Sequence, residues 1–165
     1  PNGPYQGIPG GGRFKDEASN MMCQQPPWGQ LTAVDVNTGE FVWRDDRCVA
    51  FLSINPLTPG HTLVVPRQEV DHWIDLDEDL AVHLMAVAHR IGAVQQEVFA
   101  AQRIGLIVAG FEVPHTHLHV LPVSDMGDLD FSNAAPVPGD DLADLAHRLR
   151  SALTAAGHAA ASATD

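Results

Sequence analysis

Six apolar residues, Leu80, Leu84, Val87, Ile91, Val94 and Val98, recur at alternating steps of four and three. That spacing draws one apolar stripe along a helix of about 3.6 residues per turn. It predicts a long amphipathic helix beginning at Asp77 and fraying over 100–103. Asp77, Glu78 and Asp79 suit the positive end of its dipole. Such a stripe must be buried, and the rest of the chain supplies the surface that buries it. Residues 48–54, 61–65 and 105–109 are short apolar runs, and 115–121 alternates polar with apolar. All four read as strands. Pro66 closes the second, and Asn55-Pro56-Leu57-Thr58-Pro59-Gly60 is turn chemistry between the first two. Residues 31–36 and 40–44 read as a hairpin about Asn37-Thr38-Gly39. Residues 125–139 read as loop, and 140–156 as an Ala-rich helix with Leu142, Leu145 and Leu149 on one side. Strands in succession around one long helix predict the α+β class with an antiparallel sheet. Residues 1–12, rich in Gly and Pro, read as loop or disorder.

At 165 residues the chain has the length of one domain, perhaps with an appended segment, and can bury a core without metal or disulfide help. Its net charge of -12 argues against a nucleic-acid polymer or an anionic membrane as partner, since both want a basic face. A small phosphate ligand is still allowed, because a local site can be rich in N–H donors. No apolar run is long enough to span a membrane. Two cysteines, Cys23 and Cys48, form no C-x-x-C and read as ordinary thiols of a reducing, cytoplasmic compartment. No signal peptide is visible; the chain opens on Pro1 rather than Met, which leaves room for an upstream piece.

The chemistry concentrates in His115-Thr116-His117-Leu118-His119. On a strand, positions i, i+2 and i+4 share a face, ~7 Å apart pair by pair. The three imidazoles then line up, while Thr116, Leu118 and Val120 face the other way, where the apolar pair can enter a core. Near pH 7 such imidazoles can act as nucleophile, acid and hydrogen-bond donor. Two alternatives stand beside this: solvent-facing histidines with no role, and a zinc site. Three successive same-face side chains point nearly parallel, which makes convergence on one ion awkward. His83 and His89 fall off the long helix's stripe, and they read as solvent-facing, as do His147 and His158. His72 and Trp73 read as surface residues.

The run His115-Thr116-His117-Leu118-His119-Val120-Leu121 resembles the H-φ-H-φ-H-φ-φ signature of the histidine triad (HIT) superfamily, with Thr116 a mild departure. Ala50-Phe51-Leu52-Ser53-Ile54-Asn55-Pro56 and Pro59-Gly60-His61-Thr62-Leu63-Val64-Val65-Pro66-Arg67 resemble the family's first core strands. Ala109-Gly110-Phe111-Glu112-Val113-Pro114-His115 resembles some bacterial members. The resemblance covers about 41–133. It implies a HIT-like α+β domain, usually a homodimer, that cleaves phosphate-linked nucleotides through a nucleotidyl-histidine intermediate. It implies His117 as nucleophile, His115 as the holder of its Nδ1–H, His119 as donor to phosphate, and His61 as support from the neighbouring strand. Ser53, Asn55, Arg67 and Glu112 are the substrate-binding candidates. No cofactor or metal is implied for the covalent step. The third histidine favours the hydrolase branch over the uridylyltransferase-like H-x-H-x-Q branch.

Two departures bear on substrate. Ser53 stands where many members place an Asp that binds the ribose hydroxyls, and the loop before the triad is short, with Glu112 near the position expected to carry a hydroxyl. A third concerns the N-terminus. Cys23-Gln24-Gln25-Pro26-Pro27-Trp28-Gly29, Leu31-Thr32-Ala33-Val34-Asp35-Val36-Asn37-Thr38-Gly39-Glu40 and Trp43 resemble one blade repeat of a quinoprotein dehydrogenase propeller. One blade cannot close a propeller, so no quinone site is expected. The chain therefore divides into 1–40, a blade-like segment, and 41–165, a HIT-like domain with a C-terminal helix.

Overall fold

The computed structural model describes residues 41–161 apart from 112, and toward the N-terminus only the two-residue strands β1 (Phe14–Lys15) and β2 (Met22–Cys23), which pair antiparallel. The expected hairpin turn and its first arm lie outside the described residues; the second arm is β3 (Phe41–Arg44). A five-stranded antiparallel sheet follows, built from β3, β4 (Cys48–Leu52), β5 (Thr62–Pro66), β6 (Arg103–Ile107) and β7 (Leu118–Val123) in the order β3-β4-β5-β7-β6. Two helices, α1 (Glu78–Val98) and α2 (Gly139–Ala155), complete the α+β architecture. No helix among the described residues is long and apolar enough to cross a membrane.

The sheet buries both faces of its middle strands, which is why β4 and β5 read as continuous apolar runs rather than alternating ones. Ala50, Leu52, Val64, Leu118 and Val120 point at the helices and meet Leu80, Leu84, Val87, Ile91 and Val94 of α1 and Leu142, Leu149 and Leu153 of α2. Phe41, Val49, Phe51, Leu63 and Val65 form a second cluster on the opposite face. Each fully buried Leu or Ile contributes roughly 1.5–3 kcal/mol. A bulge between Phe41 and Trp43 shifts the β3 register, so Trp43 pairs with Ala50 and joins the helix-side core. The predicted α1 stripe is the buried one, with Val98 partly buried against it.

Two features of this frame fix the segment around His61. Gly60 adopts φ +89°, a left-handed conformation that favours glycine, and an added Cβ would lie 2.4 Å from the Phe99 ring. Gln95, wholly buried on α1, donates from Nε2 to the Gly60 carbonyl (2.8 Å), Thr62 Oγ1 (3.0 Å) and the Val120 carbonyl (3.2 Å). One helix amide thus ties β5 to β7 at the backbone beside His61 and His119.

The alternating run departs from expectation at its start. It enters the β7 ladder only at Leu118, opposite Val64. The preceding residues spend their hydrogen bonds elsewhere: Thr116 N–H donates to the Val70 carbonyl, His115 N–H to that of Val113, and His115 Nε2–H to that of Pro66. His83 and His158 are corrections. Both are half-buried; His83 Nε2–H donates to Asp45 Oδ2 at 2.9 Å, and the His158 ring packs 5.8 Å from that of Trp43.

Candidate active site

His119 lies on β7 opposite Leu63 and Ile107, on the face away from the helices. His117 precedes the strand, and its ring meets that of His119 edge-on at 4.9 Å. His61 enters from the turn before β5, with Nε2 2.9 Å from His119 Nδ1. His115 is turned aside, its Nε2 2.8 Å from the Pro66 carbonyl. The triad is therefore not three parallel rings. Two of its rings and His61 form one cluster, and the third ring serves the backbone. Among the described residues, the triad and His61 do not bring three ligand atoms within 4.8 Å of one another, so the zinc alternative finds no such cluster there.

The hydrogen bonds assign the protons. Leu57 N–H donates to His61 Nδ1 at 3.1 Å, so neutral His61 carries its proton on Nε2. That proton is donated to His119 Nδ1, which leaves the His119 proton on Nε2. His117 Nδ1–H donates to the His115 carbonyl at 2.8 Å, so the neutral ring carries its proton on Nδ1 and Nε2 is its basic nitrogen. The buried cluster thus offers one nucleophilic nitrogen and, beside it, one N–H donor.

Burial keeps the supporting rings neutral. Desolvation, then the neighbouring His117, lowers His61 to about 4. Desolvation, then His117 and His61, lowers His119 to about 3. Both groups bind protons more weakly folded than unfolded, where the ordinary value is 6.5. Their contribution to stability is full above about pH 6.5, falls as pH drops below it, and levels off once pH has passed through about 4 and then about 3. Urea denaturation at pH 7.5 and pH 5 is expected to differ by on the order of 2–4 kcal/mol, with the slope reduced in His119→Gln. An equal slope in that variant would remove His119 from the titration.

Ala109, Gly110, Phe111 and Phe131 join His117 and His119 around a cavity of about 130 Å³, large enough for a phosphoryl group but not a whole nucleotide. Phe131 stands edge-on to His119, ring centres 5.2 Å apart, in a short 3-10 turn (Phe131–Asn133) within the expected loop. Sequence reading missed Phe131 and used Phe111 only as part of a motif; a lone aromatic in a polar loop was the available signal. The other candidates are scattered. Ser53, buried at the end of β4, donates its N–H to the His61 carbonyl, and its hydroxyl accepts from Asn55 N–H at 3.3 Å. Asn55 is half-buried in the same turn, and neither residue lines the cavity. Arg67 is not brought to it: its Nε–H donates to the Asp45 carbonyl at 2.7 Å, and it borders a separate cleft with Asp46, Arg47 and Gln68. Glu112 lies outside the described residues.

This geometry can be set beside known proteins. The HIT domain family model matches residues 34–126, more than half the chain. The chain belongs to the HIT family. An uncharacterized HIT-like protein of Saccharolobus solfataricus is 36% identical over 89 residues, covering 51% of this chain and 64% of that protein. A bis(5'-nucleosyl)-tetraphosphatase (asymmetrical) of Schizosaccharomyces pombe is 33% identical over 85 residues, covering 48% of this chain and 47% of that one. The match thus spans less than two thirds of either relative's length. The crystal structure of a Hit-like protein involved in cell-cycle regulation from Bartonella henselae superposes with a TM-score of 0.61 at 26% identity, over 68% of this chain and 85% of that one. A second family model, the beta-propeller domain of glucose/ethanol/alcohol dehydrogenase, matches residues 9–56 and overlaps the HIT match over 34–56. Both resemblances are found, and the two matches share β3 and β4.

Proposed function

We propose that this chain is a nucleotide hydrolase of the HIT type that works through a nucleotidyl-His117 intermediate. One observation carries the reading: the His117 Nδ1–H bond to the His115 carbonyl, which makes Nε2 the basic, nucleophilic nitrogen of a ring that lines the cavity. In the first step Nε2 attacks the α-phosphorus of a bound nucleotide, a P–N bond forms, and the bond from phosphorus to the leaving group breaks. The His115 carbonyl holds the imidazolium that develops, and His119 Nε2–H donates to a non-bridging oxygen as its charge grows. Among the described residues that line the cavity, His119 is the ring placed beside His117 to supply that stabilisation. Water then attacks phosphorus, releases a nucleoside monophosphate and returns the lone pair to His117.

The tetraphosphatase relative supports a hydrolase acting on phosphate-linked nucleotides. The leaving group is an amine of a nucleoside phosphoramidate or the remainder of a dinucleoside polyphosphate. The same reading includes a homodimer, with exposed Leu106 on edge strand β6 and Val82 and Met85 on α1 as the apolar surface for it. Nucleoside monophosphate release from an adenosine phosphoramidate and from a dinucleoside tetraphosphate, measured by chromatography, tests the activity. Release from neither, by protein that still binds AMP, would leave a nucleotide-binding module.

A further inference from the structure

Away from the triad, at the turn between β3 and β4, Asp45, Cys48 and His83 form the one group of three potential metal ligands among the described residues, their ligand atoms all within 4.8 Å. Asp45 Oδ2 lies 2.9 Å from His83 Nε2 and 3.7 Å from Cys48 Sγ. Tetrahedral zinc bound at roughly 2.0–2.3 Å separates its ligand atoms by roughly 3–4 Å, and the two measured edges lie close to that range.

The carboxylate is already oriented by groups a cation would not displace. Its Oδ1 accepts the backbone N–H of Arg47 (2.9 Å) and Cys48 (2.8 Å), and its Oδ2 accepts Trp43 Nε1–H (2.7 Å). Outer hydrogen bonds of this kind fix the ligating carboxylate in metal sites. With His83 Nε2–H and Cys48 S–H added, five donors converge on one carboxylate that offers about four lone-pair positions. A single ion between the three side chains replaces the two outermost of these bonds. Its two charges are matched by one carboxylate and one thiolate, so the half-buried site becomes neutral.

We propose that Asp45 Oδ2, Cys48 Sγ and His83 Nε2 bind one zinc ion, tying the β3–β4 turn to α1. Sulfur, nitrogen and oxygen together select a borderline-soft ion over magnesium or calcium. His83 and Asp45 side chains are 22% and 17% exposed, which lets water fill the fourth position. Binding converts the Cys48 thiol to thiolate with release of one proton to solvent, and the His83 proton moves to Nδ1. Without an ion, burial and then the Asp45 carboxylate hold the Cys48 thiol protonated, its pKa raised.

Native mass spectrometry of the whole chain after zinc loading and desalting should show one ion, with affinity read by competition against a chromophoric chelator. His83→Gln and Cys48→Ser should each weaken binding at least 100-fold, while His117→Ala retains it. Cobalt substitution should give a near-ultraviolet thiolate-to-metal band that Cys48→Ser abolishes. Should Cys48→Ser fail to fold, the half-exposed His83→Gln variant and the wild-type cobalt spectrum decide the matter. No ion retained by the wild type, unchanged affinity in His83→Gln, or a cobalt spectrum without the thiolate band overturns the proposal.

Discussion

Replacing His117 with alanine is expected to lower turnover by a factor on the order of 10⁴–10⁶ while changing nucleotide affinity by less than about tenfold. The reason is the division of labour in the site. His117 Nε2 is the unprotonated ring nitrogen, because Nδ1 holds the proton donated to the His115 carbonyl, whereas His119 keeps its donor through the Leu57–His61–His119 chain, which does not pass through His117. Single-turnover kinetics and equilibrium binding on the same preparation separate the two effects. A variant that keeps more than a few per cent of wild-type turnover would show that another group attacks phosphorus.

The second large effect falls on stability. Gly60→Ala is expected to cost on the order of 3–5 kcal/mol in urea denaturation. A side chain at φ +89° is strained whatever the space around it, and here the new Cβ would also lie 2.4 and 2.6 Å from Phe99 ring atoms. Phe99 is half-buried and can swing away in part, so Phe99→Leu in the same background should recover some of the loss but not the backbone strain. The Gly60 carbonyl is held by Gln95 and Thr62 Oγ1, so the strain reaches His61, and activity should fall with stability. A change under about 0.5 kcal/mol would mean that the loop relaxes freely and that Gly60 does not set the position of His61.

What could be read from sequence alone follows from what periodicity encodes. The stripe from Leu80 to Val94 faces the core because a helix's spacing fixes which side chains share a face. The same logic put Leu118 and Val120 on the face that can enter a core, and both belong to the cluster under the helices. Periodicity carries no information about ladder partners. Residues 115–117 alternate like a strand, yet their bonds go to Pro66, Val70 and Val113, so the rings splay and His115 leaves the cluster. Arg67 and His83 show the same limit. One is drawn to the Asp45 carbonyl and the other to its carboxylate, because a turn distant in sequence comes to lie beside both. Phe131 reaches His119 through a turn whose capping depends on Asp130, a local arrangement hidden inside a stretch that reads as plain loop.

The nucleophile assignment is tested most directly by trapping the intermediate. The protein is mixed with an adenosine phosphoramidate, quenched in alkali within one turnover, and weighed intact, then mapped by peptide. The expected result is a mass increase of one adenylyl group on the peptide carrying His117, absent in His117→Ala. Turnover with no adduct at any quench time, or an adduct on another residue, would contradict the covalent role of His117.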